Sequence, residues 1–510
     1  MTKIPTESKS YWTDYIDRKE SPVYQQAVKD EETEIVIIGA GIVGVLSAYE
    51  LAKRGRKVIL LEADRILYGT TGHTTAKISA QHGLFYDELI KKHGEETARL
   101  YYQANMDGVN YLKNIVHTED IACDFSEQTA YTYATTDEYA DKIKAEFKAY
   151  EKLGIDGAFH TELPLPFPIK SAVSMNGQAQ FHPLKLLSNL FVSFEQMGGI
   201  IYERSPVKDI KEDDSGHHAV LENGHQISGK AIIIATHYPF YDMKGLYFSR
   251  LHPLRSYIIA AATEENIPDG MYISADKPTR SLRYTDYNGQ KLLLIGGESH
   301  KTGQSEDEQA YFTALQDFTD NYYTVKEYPY RWSAQDLVTL DKIPYIGAYS
   351  DSKNHLYVAT GFAKWGMSNG AAAALILSDL ITGKENPYAD LFSPSRSETN
   401  LASVSTFIKE NSNVAKELIK GKINPNEVDL DELKPEEGGH VKFKGKKAGA
   451  YRDKDGNLCI LDTTCTHLGC EVRWNSGERS WDCPCHGSRF DTNGEVIEGP
   501  AVSPLKKLNE

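Results

Sequence analysis

The chain has 510 residues and a formal net charge of −16, with 40% hydrophobic and 25% charged residues. This length and composition predict two or three globular domains, and the acidic balance argues against nucleic acids and anionic membrane surfaces as partners. No apolar run approaches the roughly 18 residues of a transmembrane helix, and residues 1–30 lack the apolar core of a signal peptide, so we expect a cytoplasmic protein.

The cysteines and charges divide the chain unevenly. Five of the six cysteines lie between residues 459 and 485, and Cys123 is the exception, which argues against a disulfide framework spread over a secreted fold. Residues 433–510 contain twelve Lys or Arg and twelve Asp or Glu, so the preceding residues carry the whole negative charge. This change in net charge along the chain predicts a domain boundary near residue 433.

The first motif is a dinucleotide-binding fingerprint. A buried-strand run at residues 34–38 leads into Gly39, Gly41 and Gly44, a helical stretch follows, and the next predicted strand ends on Glu62. The glycines allow a tight turn, close approach of a pyrophosphate and helix packing, while the acid can bind both ribose hydroxyls of an adenosine. A glycine turn in an unrelated α/β protein is the less favoured alternative, because strand, helix and acid are all present.

Later segments in the same order add to this motif. They are a hydroxyl-rich loop at Thr70–Thr75, a short strand at Ala231–Thr236, and the glycine-containing segments Asp341–Gly347 and Leu356–Met367. As a set they resemble the glycine oxidase / D-amino-acid oxidase (DAO) family of FAD-dependent amine oxidoreductases over residues 33–390. The resemblance implies FAD rather than NAD.

The resemblance also implies the fold, which is α/β. It is a Rossmann-like FAD-binding domain with an interleaved α+β substrate domain, preceded by an N-terminal extension at residues 1–32. We expect the FAD-binding parts at about 33–84, 172–245 and 330–390, and the substrate parts at about 85–171 and 246–329.

The cofactor contacts follow from the fingerprint and from the family positions. We expect FAD to contact Gly39, Gly41, Ile42, Val43, Gly44, Glu62, Ala63, Thr71, Gly72, His73, Thr74, Val207, Ala235, Thr236, Gly361, Lys364, Gly366 and Met367. In the family the loop at 361–367 lies under the flavin pyrimidine, where a helix N-terminus and Lys364 would stabilise the negative charge of reduced flavin. A solvated loop lysine is an equal alternative for Lys364, and a non-bonded contact is preferred over a covalent flavin link for His73.

The substrate side is weakly specified. Residues 255–300 alternate like the strands of a sheet, which in the resembled family roofs the substrate pocket. Tyr257, Arg283, Tyr284 and Arg331 are the candidate catalytic or binding residues, since an arginine can clamp a substrate carboxylate. A structural role is favoured for any one of them. No second strand–GxGxxG unit occurs, so the sequence points to an organic electron donor rather than NAD(P)H.

Near the C-terminus the chain carries a metal-ligand pattern. Cys465 and His467 form a Cys-x-His pair, and Cys483 and His486 form a Cys-x-x-His pair after fifteen intervening residues, 468 to 482. Two thiolates and two imidazoles at this spacing suit a Rieske [2Fe–2S] cluster, in which two histidines ligate one iron. A zinc site is the alternative, and the two further cysteines make it improbable.

The flanking residues resemble the cytochrome bc-type Rieske proteins. The resemblance implies a disulfide between Cys470 and Cys485, a cluster-covering proline loop at Gly499–Ala501, and a hydrogen bond from Ser488 to a bridging sulfur. It also implies a small all-β domain, which the change in charge places at 433–510. A Ser-rich, turn-forming segment after residue 392 and an apolar pattern at residues 401–420 predict a linker at 391–432 that contains an amphipathic helix.

Together these features predict an FAD-dependent dehydrogenase that oxidises a small amine or amino acid. Its electrons would pass one at a time through the Rieske cluster to an external acceptor. The alternatives are reversed flow, in which the cluster feeds FAD for substrate reduction, and a redox-sensing protein without turnover. A Rieske oxygenase is the weakest alternative, because no 2-His-1-carboxylate pattern is found.

Phe490 departs from the Rieske pattern, which has tyrosine at this position. The missing hydroxyl removes one hydrogen bond to a cysteine sulfur, and such bonds raise cluster potentials. We therefore expect a reduction potential below that of respiratory Rieske proteins, and a higher potential in the Phe490→Tyr variant, both measured by redox titration. A wild-type value equal to theirs, or no rise in the variant, would contradict this.

Overall fold

The computed structural model describes residues 3–18, 23–214, 216–242, 245–350, 355–396, 401–423 and 428–509. Its helices, numbered along the chain, are α1 Tyr11–Arg18, α2 Ile42–Lys53, α3 Tyr86–His93, α4 Glu95–Thr118, α5 Asp137–Leu153, α6 Pro183–Gln196, α7 Tyr247–Arg250, α8 Gln309–Tyr322, α9 Gly366–Ile381, α10 Ala389–Phe392 and α11 Leu401–Ile423. A 3-10 helix spans Thr70–His73. Within the described residues, no helix combines the length and the apolar character needed to cross a membrane.

Two large sheets and two small ones hold the strands. The strands are β1 Glu31–Ile38, β2 Val58–Leu61, β3 Lys77–Ile78, β4 Ser126–Ala134, β5 Phe159–His160, β6 Ser171–Gln180, β7 Ile200–Tyr202, β8 Val207–Asp213, β9 Gly216–Leu221, β10 Gln226–Ile234, β11 Leu251–Thr263, β12 Met271–Ser274, β13 Arg280–Tyr287, β14 Gln290–Lys301, β15 Val325–Thr339, β16 Tyr345–Ala348, β17 Leu356–Thr360, β18 Gly438–Phe443, β19 Lys446–Arg452, β20 Leu458–Leu461, β21 Arg473–Asn475, β22 Ser480–Asp482, β23 Arg489–Phe490 and β24 Val496–Glu498.

The first sheet is the Rossmann-like one. Its strand order is β16-β17-β10-β1-β2-β7, with β8 and β9 attached to β10. Strands β17, β10, β1, β2 and β7 run parallel, and their β-branched residues are buried on both faces, as covered parallel sheets require. Parallel strands end at one edge, so the loops after β1, β10 and β17 meet there.

The second sheet has nine strands and forms the predicted roof. Its order is β15-β11-β14-β13-β12-β4-β6-β3, with β5 beside β6. Strands β6 and β15 belong to this sheet, whereas the sequence places residues 172–180 and 330–339 in the FAD-binding parts. Long antiparallel strands can cross between domains, and boundaries drawn from motifs do not detect such crossings.

The two faces of the roof differ in what covers them. On β11 and β15, one face carries Tyr257, Ile259 and Arg331, which pack against α8 and the aromatic cluster around Phe312. Side chains alternate along a strand, so Ile258 and Trp332 lie on the opposite face. The Trp332 indole donates to the His73 carbonyl at 2.8 Å. This second face, termed the inner face, therefore looks toward the predicted FAD loops.

The C-terminal unit consists of a three-stranded sheet, β18 to β20, and a four-stranded sheet, β21 to β24. It lies against the outer face of the roof. Arg255 of β11, with a side chain 1% exposed, is 2.7 Å from Glu478 and 3.8 Å from Glu498 of this unit. Arg489 extends the network to Glu478 and Glu498 at 3.6 Å and to Asp482 at 3.0 Å. Burial opposes the charged form of Glu478, yet Arg255 and Arg489 lower its pKa to about 2.

Arg255→Leu tests whether this network joins the two units. The substitution removes one of the two arginines that neutralise Glu478 and Glu498, leaving only Arg489, and we expect it to reduce the free energy of unfolding by about 3 kcal/mol. Denaturant unfolding of the cofactor-loaded protein measures the change. The control is Lys142→Ala, which removes an exposed pair with Glu138 and should cost less than about 1 kcal/mol. Equal effects of the two variants would contradict the assignment.

Candidate functional site: a dinucleotide cradle beside a cysteine–histidine cluster

The fingerprint glycines are required by close backbone contacts. Gly39 follows β1 with φ +103°, and a Cβ there would lie 2.6 Å from the Ala235 carbonyl oxygen. A Cβ on Gly44 would lie 1.8 Å from the Gly39 oxygen. Gly41 occupies the N-cap of α2. The loop after β1 is therefore held between α2 and the end of β10, and the α2 N-terminus is left facing a groove.

Two side chains organise this groove. A Glu62 carboxylate oxygen accepts a hydrogen bond from the Ala40 N–H at 2.8 Å, and burial raises its pKa. The Thr71 hydroxyl accepts from the Ile42 N–H at 3.0 Å. An acid beside the glycine loop and the N-terminus of α2 suit the ribose and pyrophosphate of a dinucleotide.

The loop at 361–367 closes the far end of the groove. It is fixed to β15 by a bridge between Val338 and Phe362 and by a hydrogen bond from the Ala363 N–H to the Leu337 carbonyl at 2.8 Å. Helix α9 starts at Gly366. The Lys364 side chain is accessible, yet burial of the region lowers its pKa while Asp336 opposes that shift.

Four other residues predicted to contact FAD lie in the loops after β2 and β10 and at the start of β8. Ala235 follows β10 and donates to the Ile38 carbonyl at 2.8 Å, and the Nδ1 atom of His73 lies 3.0 Å from the Gly69 carbonyl. Burial lowers the pKa of His73. Val207 is buried at the start of β8. The backbone N–H of Ala63 also contacts the Glu62 carboxylate.

The four catalytic candidates are held by other contacts. Tyr257 lies on the outer face of the roof, with its hydroxyl 2.9 Å from His300. Arg331 shares that face and donates to Gln309, Thr6 and Gly477. These contacts favour structural roles for both residues.

The other two candidates lie on β13. Arg283 is buried and donates to the backbone carbonyls of Ala76 and Tyr284 at 2.6 and 3.0 Å. Burial lowers its pKa to about 9. The Tyr284 hydroxyl accepts from Gln128 at 3.1 Å. Both also line a surface cavity of about 360 Å³ at the β13–β14 hairpin.

Sequence reasoning missed Asp336. It lies on β15 between Gln335 and Leu337, which are buried, and is itself partly accessible. Its carboxylate has no hydrogen-bond partner among the described residues. Burial raises its pKa to about 7, with Lys364 opposing. The sequence signal that could have identified it is a carboxylate within a strand whose neighbouring residues are uncharged.

The four predicted cluster ligands come together in two loops. Cys465 and His467 follow β20, while Cys483 and His486 lie between β22 and β23. The two imidazole centroids are 5.1 Å apart, and neither Nδ1 atom has a hydrogen-bond partner in the described part of the chain. A hydrogen bond between the two thiols lowers the pKa of Cys465 to about 6 and raises that of Cys483. Two adjacent sulfurs and two unpaired imidazole nitrogens form a donor set that fits a [2Fe–2S] cluster with two irons.

The surroundings of these ligands close the site. Cys470 and Cys485 form a disulfide, and both of its sulfurs lie within 4.8 Å of the Cys483 sulfur. The Ser488 hydroxyl hydrogen-bonds to Cys465 and accepts from the Ala501 N–H at 3.0 Å. The predicted proline loop is therefore joined to the ligand loops through Ser488. The sequence implied this disulfide only through resemblance, and the structure contains it.

The histidine side of this site faces the FAD-binding unit. His467 Nε2 is 3.2 Å from an Asp242 carboxylate oxygen, and the His486 ring packs edge-to-face with Phe248 at 5.8 Å. Gln335 of β15 donates to the Gly487 carbonyl at 3.0 Å. The cluster loops thus rest on the outer face of the roof, directly behind Asp336.

Comparison with known proteins agrees with both sites. The family model described as FAD dependent oxidoreductase (DAO) matches residues 34–380. The chain belongs to this family. The model of the Rieske [2Fe-2S] domain matches residues 427–509. This DAO-family protein therefore binds FAD and a Rieske [2Fe–2S] cluster.

One sequence relative and two solved structures are also similar to this chain. The YhfW protein of Bacillus subtilis (strain 168), which is named as a Rieske 2Fe-2S iron-sulfur protein, is 47% identical over 500 residues, covering 98% of this chain and 97% of its own. Among solved structures, glycine oxidase from Geobacillus kaustophilus superimposes with TM-score 0.61 at 20% identity, covering 72% of this chain and 99% of its own. L-proline dehydrogenase from P. horikoshii superimposes with TM-score 0.58 at 20% identity, covering 72% of this chain and 97% of its own. These two structures show the fold of the DAO part.

Gly44→Ala tests the FAD cradle of this DAO-family protein. The added methyl would meet the Gly39 carbonyl oxygen, so we expect bound FAD to fall at least about tenfold while the cluster spectrum is retained. FAD content and iron content of the purified protein are the measurements. Gly69→Ala is the control, because open space surrounds that position and its φ is −68°. Full FAD content in Gly44→Ala would contradict the assignment.

Proposed function

We propose that this protein is a dehydrogenase that oxidises a small amine or amino acid at FAD and passes the electrons through the Rieske cluster to an external acceptor. The observation that carries the proposal is the docking of the cluster loops on the roof, through the contact between Gln335 and Gly487. A cluster behind the flavin site provides an acceptor within the same chain. The glycine oxidase and L-proline dehydrogenase neighbours support the substrate class.

Specific residues have roles in this proposal. Gly39, Gly41, Gly44 and Glu62 hold the adenosine and pyrophosphate, and the loop at 361–367 lies under the flavin pyrimidine. When bound, FAD supplies the two-electron acceptor for the substrate. Lys364 lies where it can stabilise the negative charge of reduced flavin. Cys465, His467, Cys483 and His486 are the cluster ligands.

The orientation of the cluster supports an internal donor. In the described residues Asp242 and Phe248 cover the imidazole edges of His467 and His486. The histidine-ligated iron is the one with the higher affinity for electrons, and its ligands face the FAD-binding unit. This arrangement favours transfer between flavin and cluster over direct reduction of the cluster from outside.

The dehydrogenase assignment has a chemical basis. An oxidase can discharge its flavin directly to O₂, so it does not need a one-electron carrier. A cluster that accepts single electrons is useful when the final acceptor is another redox centre. The concentration of cysteines in the Rieske domain supports the predicted cytoplasmic location.

The test is anaerobic mixing of the purified holoprotein with amino acids and their decarboxylated amines, for example glycine with methylamine and proline with pyrrolidine. We expect a substrate to bleach the flavin and then to produce the reduced-cluster signal by electron paramagnetic resonance. The Cys465→Ser variant, loaded with FAD, should still bleach but give no cluster signal. Cys459→Ser, a half-buried cysteine outside the ligand set, is the matched control.

Three outcomes contradict the proposal. Flavin bleaching that leaves the wild-type cluster oxidised would show that the cofactors are not coupled in this direction. Cluster reduction by an external donor, followed by flavin reduction without substrate, would support reversed flow. Absence of bleaching with every compound would leave the redox-sensing alternative as the better account.

A further inference from the structure

Asp336 places an acid on the inner face of the roof. Alternation along β15 puts it on the face of Trp332 and Ala334, and β11 pairs Leu254 with Asp336 and Ser256 with Ala334. Trp332 on this face reaches the His73 carbonyl. The Asp336 carboxylate is thus directed to the side of the sheet on which the FAD loops lie, and no described residue hydrogen-bonds to it.

Lys364 is a cation that acts on this carboxylate. The bridge between Val338 and Phe362 holds the turn that carries Lys364 against β15, near the end of the strand on which Asp336 lies. Lys364 likewise lacks a hydrogen-bond or ion-pair partner among the described side chains. Burial dominates over their mutual attraction, raising the pKa of Asp336 and lowering that of Lys364.

Other charged groups act on Asp336 from neighbouring elements. Glu498 of β24 raises its pKa and Arg255 of β11 lowers it. His300 and His237 also lie nearby, since Lys364 and Glu498 act on their respective rings, and burial lowers the pKa of both. Both histidines are favoured in the neutral form, so the cations that act on Asp336 are Lys364 and, from the outer face of the sheet, Arg255.

The arginines of the roof are already engaged. Arg283 donates to backbone carbonyls, Arg331 to Gln309 and Thr6, and Arg255 to Glu478. None of these three guanidinium groups is presented beside Asp336 on the inner face. Near Asp336 the inner face therefore presents a carboxylate and the neighbouring Lys364 rather than an arginine clamp.

We propose that Asp336 is the specificity-determining residue for substrate, binding its cationic amine and accepting the proton that the amine loses before oxidation. This rests on the proposed function and narrows its substrate class to amines that need no arginine-bound carboxylate. The proton moves from the substrate ammonium to the carboxylate, which gives a neutral amine and a neutral Asp336. FAD, held by the glycine loop and Glu62, would supply the acceptor for the hydride whose loss turns the neutral amine into an iminium ion. The raised pKa of Asp336 suits such a proton acceptor near neutral pH.

The test uses tetramethylammonium, a permanent cation that cannot be oxidised, and acetate, an anion of similar size. Isothermal titration calorimetry of the FAD- and cluster-loaded wild type should show binding of tetramethylammonium that strengthens as pH rises through about 7, because the carboxylate then ionises. In Asp336→Asn we expect affinity to fall at least about tenfold and the pH dependence to disappear. Acetate should bind wild type more weakly than it binds this variant.

Two further variants separate a binding role from a structural one. Glu298→Gln removes a carboxylate of the same sheet that is paired with Arg280 at 2.5 Å, and it should leave cation affinity unchanged. Asp336→Glu keeps the charge and should retain cation binding, provided that FAD and iron contents match wild type. If Asp336 only neutralises Lys364, the Asn variant will alter the flavin reduction potential while cation affinity stays the same.

Unchanged tetramethylammonium affinity in Asp336→Asn, or no binding to wild type, overturns the inference. Because the titration involves no turnover, it gives its answer even when no compound in the substrate panel bleaches the flavin. A panel in which amino acids reduce the flavin and their decarboxylated amines do not would also overturn it. That outcome would leave the electron path of the proposed function intact.

Discussion

The buried charge network around Arg255 determines how the two cofactor sites are related. Arg255 belongs to the roof of the FAD-binding unit, while Glu478 and Glu498 belong to the Rieske domain; the Arg255 side chain is fully buried and those of the two glutamates are largely so. Desolvation makes such a network a modest source of net stability, yet separating its members would leave charges buried without partners. The network therefore acts as a strong constraint on domain position. It favours a docked cluster over a tethered one that swings free.

Docking gives the roof sheet two functions. Its outer face receives α8 and the cluster loops, and its inner face covers the FAD groove. Strand β15 contributes to both, because successive side chains point to opposite faces. Gln335 contacts Gly487 of the cluster loop, and the next residue, Asp336, lies on the inner face. A single peptide unit thus separates a cluster contact from a candidate substrate contact.

The same geometry changes the interpretation of the arginines. An arginine on a roof strand suggests a carboxylate clamp when only the sequence is considered. In the folded protein Arg255 and Arg331 hold the Rieske domain and the N-terminal segment, and Arg283 holds the backbone near Ala76. Two arginines of the roof, Arg255 and Arg331, therefore bind the Rieske domain instead of a substrate. What remains for a substrate is an acid, Asp336.

The sequence by itself determined the cofactors. The cluster motif around Cys465 and Cys483 is short, and so is the glycine fingerprint that ends on Glu62. Each can be recognised from the identity and spacing of neighbouring residues alone. Tertiary structure decided the rest, including the pairing of Arg255 with Glu478, 223 residues apart, and the face of β15 on which Asp336 lies. Such contacts leave no local signal, because a charged residue looks the same in sequence whether its partner is solvent, a distant glutamate or a substrate. The physical reason is that burial and register, which fix those partners, are properties of the packed sheets and of no single segment.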